Sequence, residues 1–119
     1  MHNFKDLKVW QKAVDFAVSI YKVTVNFPAE ERFGLTSQMR RAGVSVPSNI
    51  AEGSARTSKK AFANSLEISL GESFELETQM EIAKRIGLLS KDEMDGLDSN
   101  LSEIQRMLVG LKSSLENQS

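Results

Sequence analysis

Residues 45–53 read SVPSNIAEG, directly after residues 35–44, LTSQMRRAGV, and together they decide the fold. If both runs lie on one helix, apolar residues recur at steps of three and four along one side, as a buried helix face requires. This apolar series consists of Leu35, Met39, Ala42, Val46, Ile50 and Gly53. The pattern predicts a helix over residues 33–56 with one face in a core.

A second series of polar residues recurs at the same steps, directly beside the apolar face. This polar stripe consists of Gln38, Arg41, Ser45, Asn49, Glu52 and Arg56. Regular hydrogen-bonding groups next to a core predict a partly buried structural stripe, in which Arg41 pairs with Ser45 and Glu52 reaches Arg56. The alternative is an ordinary solvated face, which is where charged residues usually lie.

Pro47 lies inside this pattern. Proline removes a backbone donor and clashes with the carbonyl four residues earlier, here that of Gly43. The small Gly43 makes a kink easier to accommodate. Two helices broken at Val46 are the alternative, because the residue before proline disfavours the helical region. Both series keep their phase across Pro47, which favours one kinked helix.

The first helix, predicted over residues 6–26, carries two apolar series. One consists of Leu7, Trp10, Val14, Ala17, Tyr21 and Val25, and the other of Val9, Ala13, Phe16, Ile20 and Phe27. One stripe suffices for the core of a bundle. We therefore predict that Val9, Ala13, Phe16 and Ile20 form a subunit interface; the alternative is a thick core with some exposed apolar surface.

Two further helices are predicted over residues 58–86 and 91–116. The third has a heptad seam of Phe62, Leu66, Ser69, Ser73, Leu76, Met80 and Ala83. Gly71 in this helix lowers helix stability by about 1 kcal/mol relative to alanine. Trp10 is the candidate bulky neighbour for the space that the missing side chain leaves. The fourth begins at a capping box, Ser90 to Glu93, and repeats Met94, Leu97, Leu101, Ile104, Leu108, Leu111 and Leu115.

Four long helices with short connections and no strand pattern predict an all-α fold. We expect a single domain over residues 1–119, an antiparallel up-down left-handed four-helix bundle that assembles into a ring.

Four segments of the chain carry a resemblance to a known family. They are FKDLKVWQKA at 4–13, GLTSQMRRA at 34–42, SVPSNIAEG at 45–53 and FANSLEISLGESFELETQ at 62–79. They resemble the four-helix-bundle proteins encoded in intervening sequences of 23S rRNA genes, the S23-like family, over residues 4–111. The resemblance implies a homopentameric ring and no enzymatic activity. That family is similar to accessory proteins of diversity-generating retroelements, which bind a reverse transcriptase and nucleic acid.

Composition argues against most catalytic chemistry. The chain has no cysteine and one histidine, His2, so thiolate metal sites, a ferritin-like di-iron centre and serine–histidine catalysis are excluded. Glu52, Glu72 and Glu75 would have to converge to hold Mg²⁺, and helical carboxylates are more often structural. We expect no enzyme, cofactor or metal. No apolar run reaches the length of a membrane span and no signal peptide is evident, so we expect a soluble cytoplasmic protein without a membrane partner.

The charge is divided unevenly along the chain. Residues 1–60 hold ten Lys and Arg against five Asp and Glu, a balance of +5, and the remainder carries −6. In an up-down bundle the start of the first helix, the end of the second and the start of the third share one end. The candidate nucleic-acid-binding residues are Lys5, Lys8, Lys12, Arg40, Arg41, Arg56, Lys59 and Lys60.

Because few aromatic residues accompany these cations, we predict phosphate-backbone binding to RNA or DNA with little base readout. Surface cations that serve solubility alone are the plainer interpretation. The alternative function is a protein-interaction scaffold that docks a reverse transcriptase or another protein without binding nucleic acid.

Overall fold

The computed structural model describes residues 3–118, so His2 lies outside the described residues. This part of the chain is all-α and contains no strand. Its helices are α1 (Lys8–Thr24), α2 (Leu35–Ser54), α3 (Lys59–Arg85) and α4 (Lys91–Glu116). Two short 3-10 turns, Phe4–Asp6 and Ala29–Glu31, precede α1 and α2, which is why these helices begin later than residues 6 and 33.

The four helices form a bundle of 47 × 23 × 20 Å. In sequence order each helix packs on the next, and α4 returns to pack on α1. Across residues 3–118, the diagonal pairs α1–α3 and α2–α4 make no such contact. Each helix therefore has two neighbours and one outward side.

α2 is one continuous helix through Pro47, as the phase of its two series predicts. Met39, Ala42, Val46 and Ile50 are all at most 2% exposed. The α2 backbone also lies close to α1 at Gly43, where a Cβ would meet the Ile20 side chain at 3.7 Å.

Gly53 is the position of closest approach between α2 and α3. A Cβ there would lie 2.5 Å from the Cβ of Ser65 and 3.0 Å from the Phe62 ring. The final residue of SVPSNIAEG is therefore a glycine for a steric reason, because real Cβ atoms do not approach so closely.

Side-chain caps and one glycine set the ends of α3 and α4. The Ser58 hydroxyl accepts a hydrogen bond from the Ala61 amide at the start of α3, and the predicted capping box of Ser90 and Glu93 is present. α3 is followed by Gly87, whose φ of 86° lies in the left-handed region. There the Leu88 amide donates to the Ala83 carbonyl at 2.8 Å, closing a Schellman-type turn.

The predicted core series of α3 and α4 are confirmed. All seven seam residues of α3 are buried, as are all of the α4 series except the partly buried Leu111. Ser69 adds a polar link inside this core, because its hydroxyl donates to the Val46 carbonyl of α2 at 2.8 Å.

The prediction that Val9, Ala13, Phe16 and Ile20 form a subunit interface is wrong. These residues lie in the core of the subunit, each at most 4% exposed. Ala13 and Gly43 are small, so α1 can approach its neighbouring helices closely while this series faces the core. It is the Trp10–Val14–Tyr21 side of α1 that remains partly exposed, and Tyr21 is 44% exposed.

The suggested packing of Trp10 on Gly71 is also wrong within the subunit. No atom lies within 4 Å of the position that a Cβ of Gly71 would take. Trp10 instead meets Phe4 edge-on, with ring centroids 5.1 Å apart.

Candidate nucleic-acid interface

One end of the bundle collects most of the candidate cations. Lys59 Nζ lies 3.4 Å from the Gln118 carbonyl, so the start of α3 is beside the end of α4. Phe4 and Trp10 line one groove together with Pro47 and Ala51, which places the start of the chain beside the last turns of α2. Lys5, Lys8, Arg56, Lys59 and Lys60 therefore belong to the same end.

Carboxylates already hold two of the candidate cations near this end. Lys12 donates to Glu103 of α4 at 2.8 Å, and Arg56 pairs with Glu52 at 2.7 Å. The hydrogen bond between Lys12 and Glu103 raises the pKa of Lys12 and lowers the pKa of Glu103 relative to their ordinary values. Lys12 is thus less available to phosphate than its position suggests.

Among residues 3–118, three exposed lysines at this end have no carboxylate partner and no side-chain hydrogen bond, and a fourth, Lys59, lacks a carboxylate but donates to the Gln118 carbonyl. Within residues 3–118, no carboxylate lies in ion-pair distance of Lys5, Lys8 or Lys60. Lys60 and Lys59 also line a shallow pocket of about 350 Å³ between α3 and α4. The side chains of Lys5, Lys8 and Lys60 therefore form a surface at this end that is open to an anionic ligand.

Arg40 and Arg41 lie away from this end and are engaged elsewhere. Arg40 Nε donates to the Thr24 hydroxyl at 2.9 Å, and its guanidinium lies 4.6 Å from the centroid of the Tyr21 ring. Arg41 reaches across to Glu75 of α3 at 2.8 Å. Both arginines therefore stabilise contacts between helices.

The polar stripe of α2 is half-buried only at its centre. Ser45 and Asn49 are partly buried, and the Asn49 amide donates to the Ser45 hydroxyl and carbonyl at 3.0 and 2.9 Å. Gln38, Arg41, Glu52 and Arg56 are exposed. The predicted Glu52–Arg56 pair is confirmed, whereas the predicted Arg41–Ser45 pair is wrong, because Arg41 extends to the carboxylates of α3.

A carboxylate cluster surrounds Arg41 at the seam between α2 and α3. Glu72 lies 3.9 Å from Arg41, and Gln79 donates weakly to Glu75 at 3.4 Å. Glu72 Oε2 and Gln79 Oε1 are buried without a partner among the described residues. Burial raises the pKa of Glu72 above its ordinary value, the neighbouring Glu75 raises it further, and Arg41 opposes both.

The three carboxylates considered for Mg²⁺ do not converge. Glu72 and Glu75 face Arg41, while Glu52 pairs with Arg56. In the part of the chain that the structure describes, no group of three His, Cys, Asp or Glu could hold a metal ion. None of the helices in residues 3–118 is long and apolar enough to cross a membrane.

The structure also reveals an apolar groove that the sequence did not assign. It lies between α1 and α2, has a volume of about 420 Å³, and is lined by Phe4, Trp10, Val14, Ala17, Val18, Tyr21, Val44, Pro47, Ser48 and Ala51. The amino-acid sequence contains an indication of this groove. Trp10 and Tyr21 each carry a polar atom, and a fully buried apolar series usually avoids such atoms.

Comparisons with known proteins agree with this architecture. A crystal structure at 1.70 Å resolution, of a protein of unknown function from the S23 ribosomal protein family of Bacteroides thetaiotaomicron VPI-5482, is 30% identical in sequence. The match has a TM-score of 0.79 and covers 87% of this chain and 97% of that one. No curated protein matches the chain.

A family model described as 23S rRNA-intervening sequence protein matches residues 5–110, which is most of the chain. Helices α1, α2 and α3, most of α4 and the SVPSNIAEG segment lie within this match. The chain therefore belongs to the 23S rRNA-intervening sequence protein family.

Proposed function

We propose that the protein is a non-enzymatic, oligomeric accessory protein that binds the phosphate backbone of RNA or DNA. The observation that carries this proposal is the group of exposed, unpaired lysines at one end, Lys5, Lys8 and Lys60. A cation without a carboxylate partner breaks no ion pair when it binds a phosphate. Each such contact also releases counterions from the nucleic acid, which favours binding. We place this activity in the cytoplasm.

The proposed binding surface depends on an antiparallel, up-down, left-handed arrangement. Three contacts between α3 and α4 support the antiparallel direction: Lys59 with Gln118, Glu77 with Gln105, and a shared groove lined by Arg85 and Met94. As residue numbers rise along α3, those of their partners fall along α4. Repetition of one cationic end around a ring, five subunits by family resemblance, would enlarge the positive surface.

Removal of the three lysines tests the proposal. We expect the combined variant Lys5→Gln, Lys8→Gln and Lys60→Gln to bind structured RNA, single strands and duplex DNA more weakly. The slope of log affinity against log salt should fall by about 1 for each lysine that bound a phosphate in the wild-type protein. Gel shifts at low and moderate salt measure both quantities.

The matched control removes three cations that also lack a carboxylate partner but lie elsewhere, with Lys22→Gln, Lys84→Gln and Arg106→Gln, and should retain affinity. Absence of binding by the wild-type chain to all three nucleic acids at low salt would refute the proposal. An equal decrease of affinity in both variants would show that net charge matters and that the lysine end does not.

The α1–α2 groove favours a second candidate, a scaffold that docks a protein partner such as a reverse transcriptase. Its lining is almost entirely apolar, which suits a protein better than a phosphate. A protein captured from the native host that remains bound after nuclease treatment would favour this candidate.

A further inference from the structure

The α1–α2 groove is an open apolar channel on the surface of the bundle. Its lining contains no charged residue, and the hydroxyl of Ser48 in that lining already donates to the Val44 carbonyl at 2.8 Å. Val18, Tyr21 and Val44 are 46%, 44% and 43% exposed along the groove. Covering this lining removes apolar surface from water, so the groove favours a ligand that carries apolar groups.

Three aromatic rings are the main feature of the lining. Phe4 and Trp10 meet edge-on near one end, with ring centroids 5.1 Å apart. Tyr21 follows eleven residues after Trp10 on α1, which at about 1.5 Å per residue is about 16 Å further along the helix. Aromatic side chains along a channel are a surface on which unpaired nucleobases stack, and this stacking tolerates any base sequence.

The end of the groove at Phe4 and Trp10 coincides with the unpaired lysines. Lys5 directly follows Phe4, and Lys8 lies two residues before Trp10. Both lysines are exposed, and neither forms an ion pair within residues 3–118. The apolar groove is therefore continuous with the surface proposed to bind the phosphate backbone.

A further cation lies at the opposite end of the groove. The Arg40 guanidinium is 4.6 Å from the centroid of the Tyr21 ring. It donates to the Thr24 hydroxyl and the Tyr21 carbonyl, which are both uncharged acceptors. Its positive charge is thus not neutralised by a carboxylate among the described residues. An apolar channel with positive charge at both ends matches a ligand that carries flat apolar groups on an anionic chain.

We propose that the α1–α2 groove receives unpaired bases of single-stranded nucleic acid, while Lys5 and Lys8 hold the adjoining phosphates. An apolar lining suits a base, which presents a flat face for stacking, although it does not suit a phosphate. The bases of a duplex are already paired and stacked, so they cannot enter the groove. This inference rests on the proposed function and narrows its ligand to single strands or unpaired loops.

The fluorescence of Trp10 tests the groove directly, because Trp10 is the single tryptophan of the chain. A single-stranded oligothymidylate or oligouridylate should quench this fluorescence in the wild-type protein at low salt. A hairpin duplex that contains as many nucleotides should bind through phosphate contacts alone and leave the fluorescence unchanged. Gel shifts with the same nucleic acids give the preference for single strands, defined as the ratio of the two affinities.

Val18→Glu blocks the groove with a carboxylate at a 46% exposed position. We expect this variant to lose the quench and to lower the preference for single strands about tenfold, since stacking and charge both oppose it. The matched control is Val109→Glu, a 49% exposed position on α4 outside the groove, which should keep the quench and the preference.

Trp10→Ala removes the stacking ring without adding a charge. It should lower affinity for single strands at least about fivefold, which is the lower end of the range for one base stacked on an aromatic side chain. Affinity for the hairpin duplex should not change. Circular dichroism checks that each variant is folded, and the wild-type quench tests the groove without any substitution.

The outcomes separate this inference from the proposed function. A wild-type chain that binds none of these nucleic acids would overturn both. Equal binding of single strands and duplex with unchanged Trp10 fluorescence would leave backbone binding in place and overturn the groove as a base site, as would equal preferences in Val18→Glu and Val109→Glu. If a captured protein changes Trp10 fluorescence and no oligonucleotide does, the groove docks protein and the inference is wrong.

Discussion

At the scale of single residues, two glycines of similar helical position have opposite surroundings. Gly53 is in contact with α3, whereas Gly110 of α4 faces open space. The sequence shows both as interior or near-interior helix glycines and does not distinguish them. Only the neighbouring helix decides whether a methyl group added at the glycine raises or lowers the stability of the fold.

We predict that Gly53→Ala destabilises the fold by about 1–3 kcal/mol, because the new Cβ overlaps Ser65 and forces α2 and α3 apart. Gly110→Ala should instead stabilise it by up to about 1 kcal/mol through helix propensity. Urea unfolding followed by circular dichroism gives both free energies. A Gly53→Ala variant as stable as wild type would contradict the close approach of the two helices.

The raised pKa of Glu72 predicts an unusual pH dependence of the free energy of unfolding. A raised folded-state pKa means that the carboxylate destabilises the fold as pH rises through that pKa. Glu72→Gln should therefore gain stability relative to wild type between about pH 4 and pH 7, starting from the ordinary carboxyl range. Urea unfolding across this range measures the difference.

Glu103 provides the control with the opposite sign. Lys12 lowers the pKa of Glu103, so that carboxylate contributes stability above the ordinary carboxyl pKa and this contribution disappears as pH falls. Glu103→Gln should be less stable than wild type at pH 7 and equal to it in acid. Parallel pH trends for Glu72→Gln and Glu103→Gln would show that burial of Glu72 has no energetic effect.

At the scale of elements, α1 shows that periodicity can identify two apolar stripes on a helix without indicating which of them is buried in the core. Both series recur at helical steps and each has two aromatic residues, Trp10 and Tyr21 in one and Phe16 and Phe27 in the other. The structure buries the second, because Ala13 and Phe16 fit between the neighbouring helices. The exposed series then forms the wall of the groove.

The burial of this series determines the expected effect of Phe16→Glu. Phe16 is 4% exposed, so a charge there should unfold the subunit, at a cost above the roughly 3–5 kcal/mol of removing a buried phenylalanine ring. Val18→Glu, two residues along the same helix at a 46% exposed position, should retain its helical content. Circular dichroism compares the two. A helical Phe16→Glu chain would place Phe16 outside the core.

At the scale of the whole molecule, the two halves of opposite charge partly neutralise each other. Lys12 meets Glu103 and Arg41 meets Glu75, each pair linking the basic first half to the acidic second half. These exposed pairs contribute little stability individually. At the end proposed to bind nucleic acid, pairing removes Lys12 and Arg56 from the available cations and leaves Lys5, Lys8 and Lys60 open to a ligand.

The sequence by itself determined the four helices and the inward residues of α2, α3 and α4. Apolar spacing in α3 and α4, the capping box at Ser90 and the unbroken phase across Pro47 depend on neighbours within a few residues, so local periodicity was enough. The Glu52–Arg56 pair was predictable for the same reason, since its partners are one turn apart.

Only the tertiary structure decided which of two stripes on α1 is buried, which cations are paired, and which glycines touch another helix. Arg41 pairs with a residue 34 positions away, and the restriction at Gly53 comes from Ser65 on the next helix. Such contacts depend on helix rotation and on the distance between helix axes. Neither quantity is encoded in the spacing of residues along one helix, because the same amphipathic pattern packs acceptably over a range of rotations.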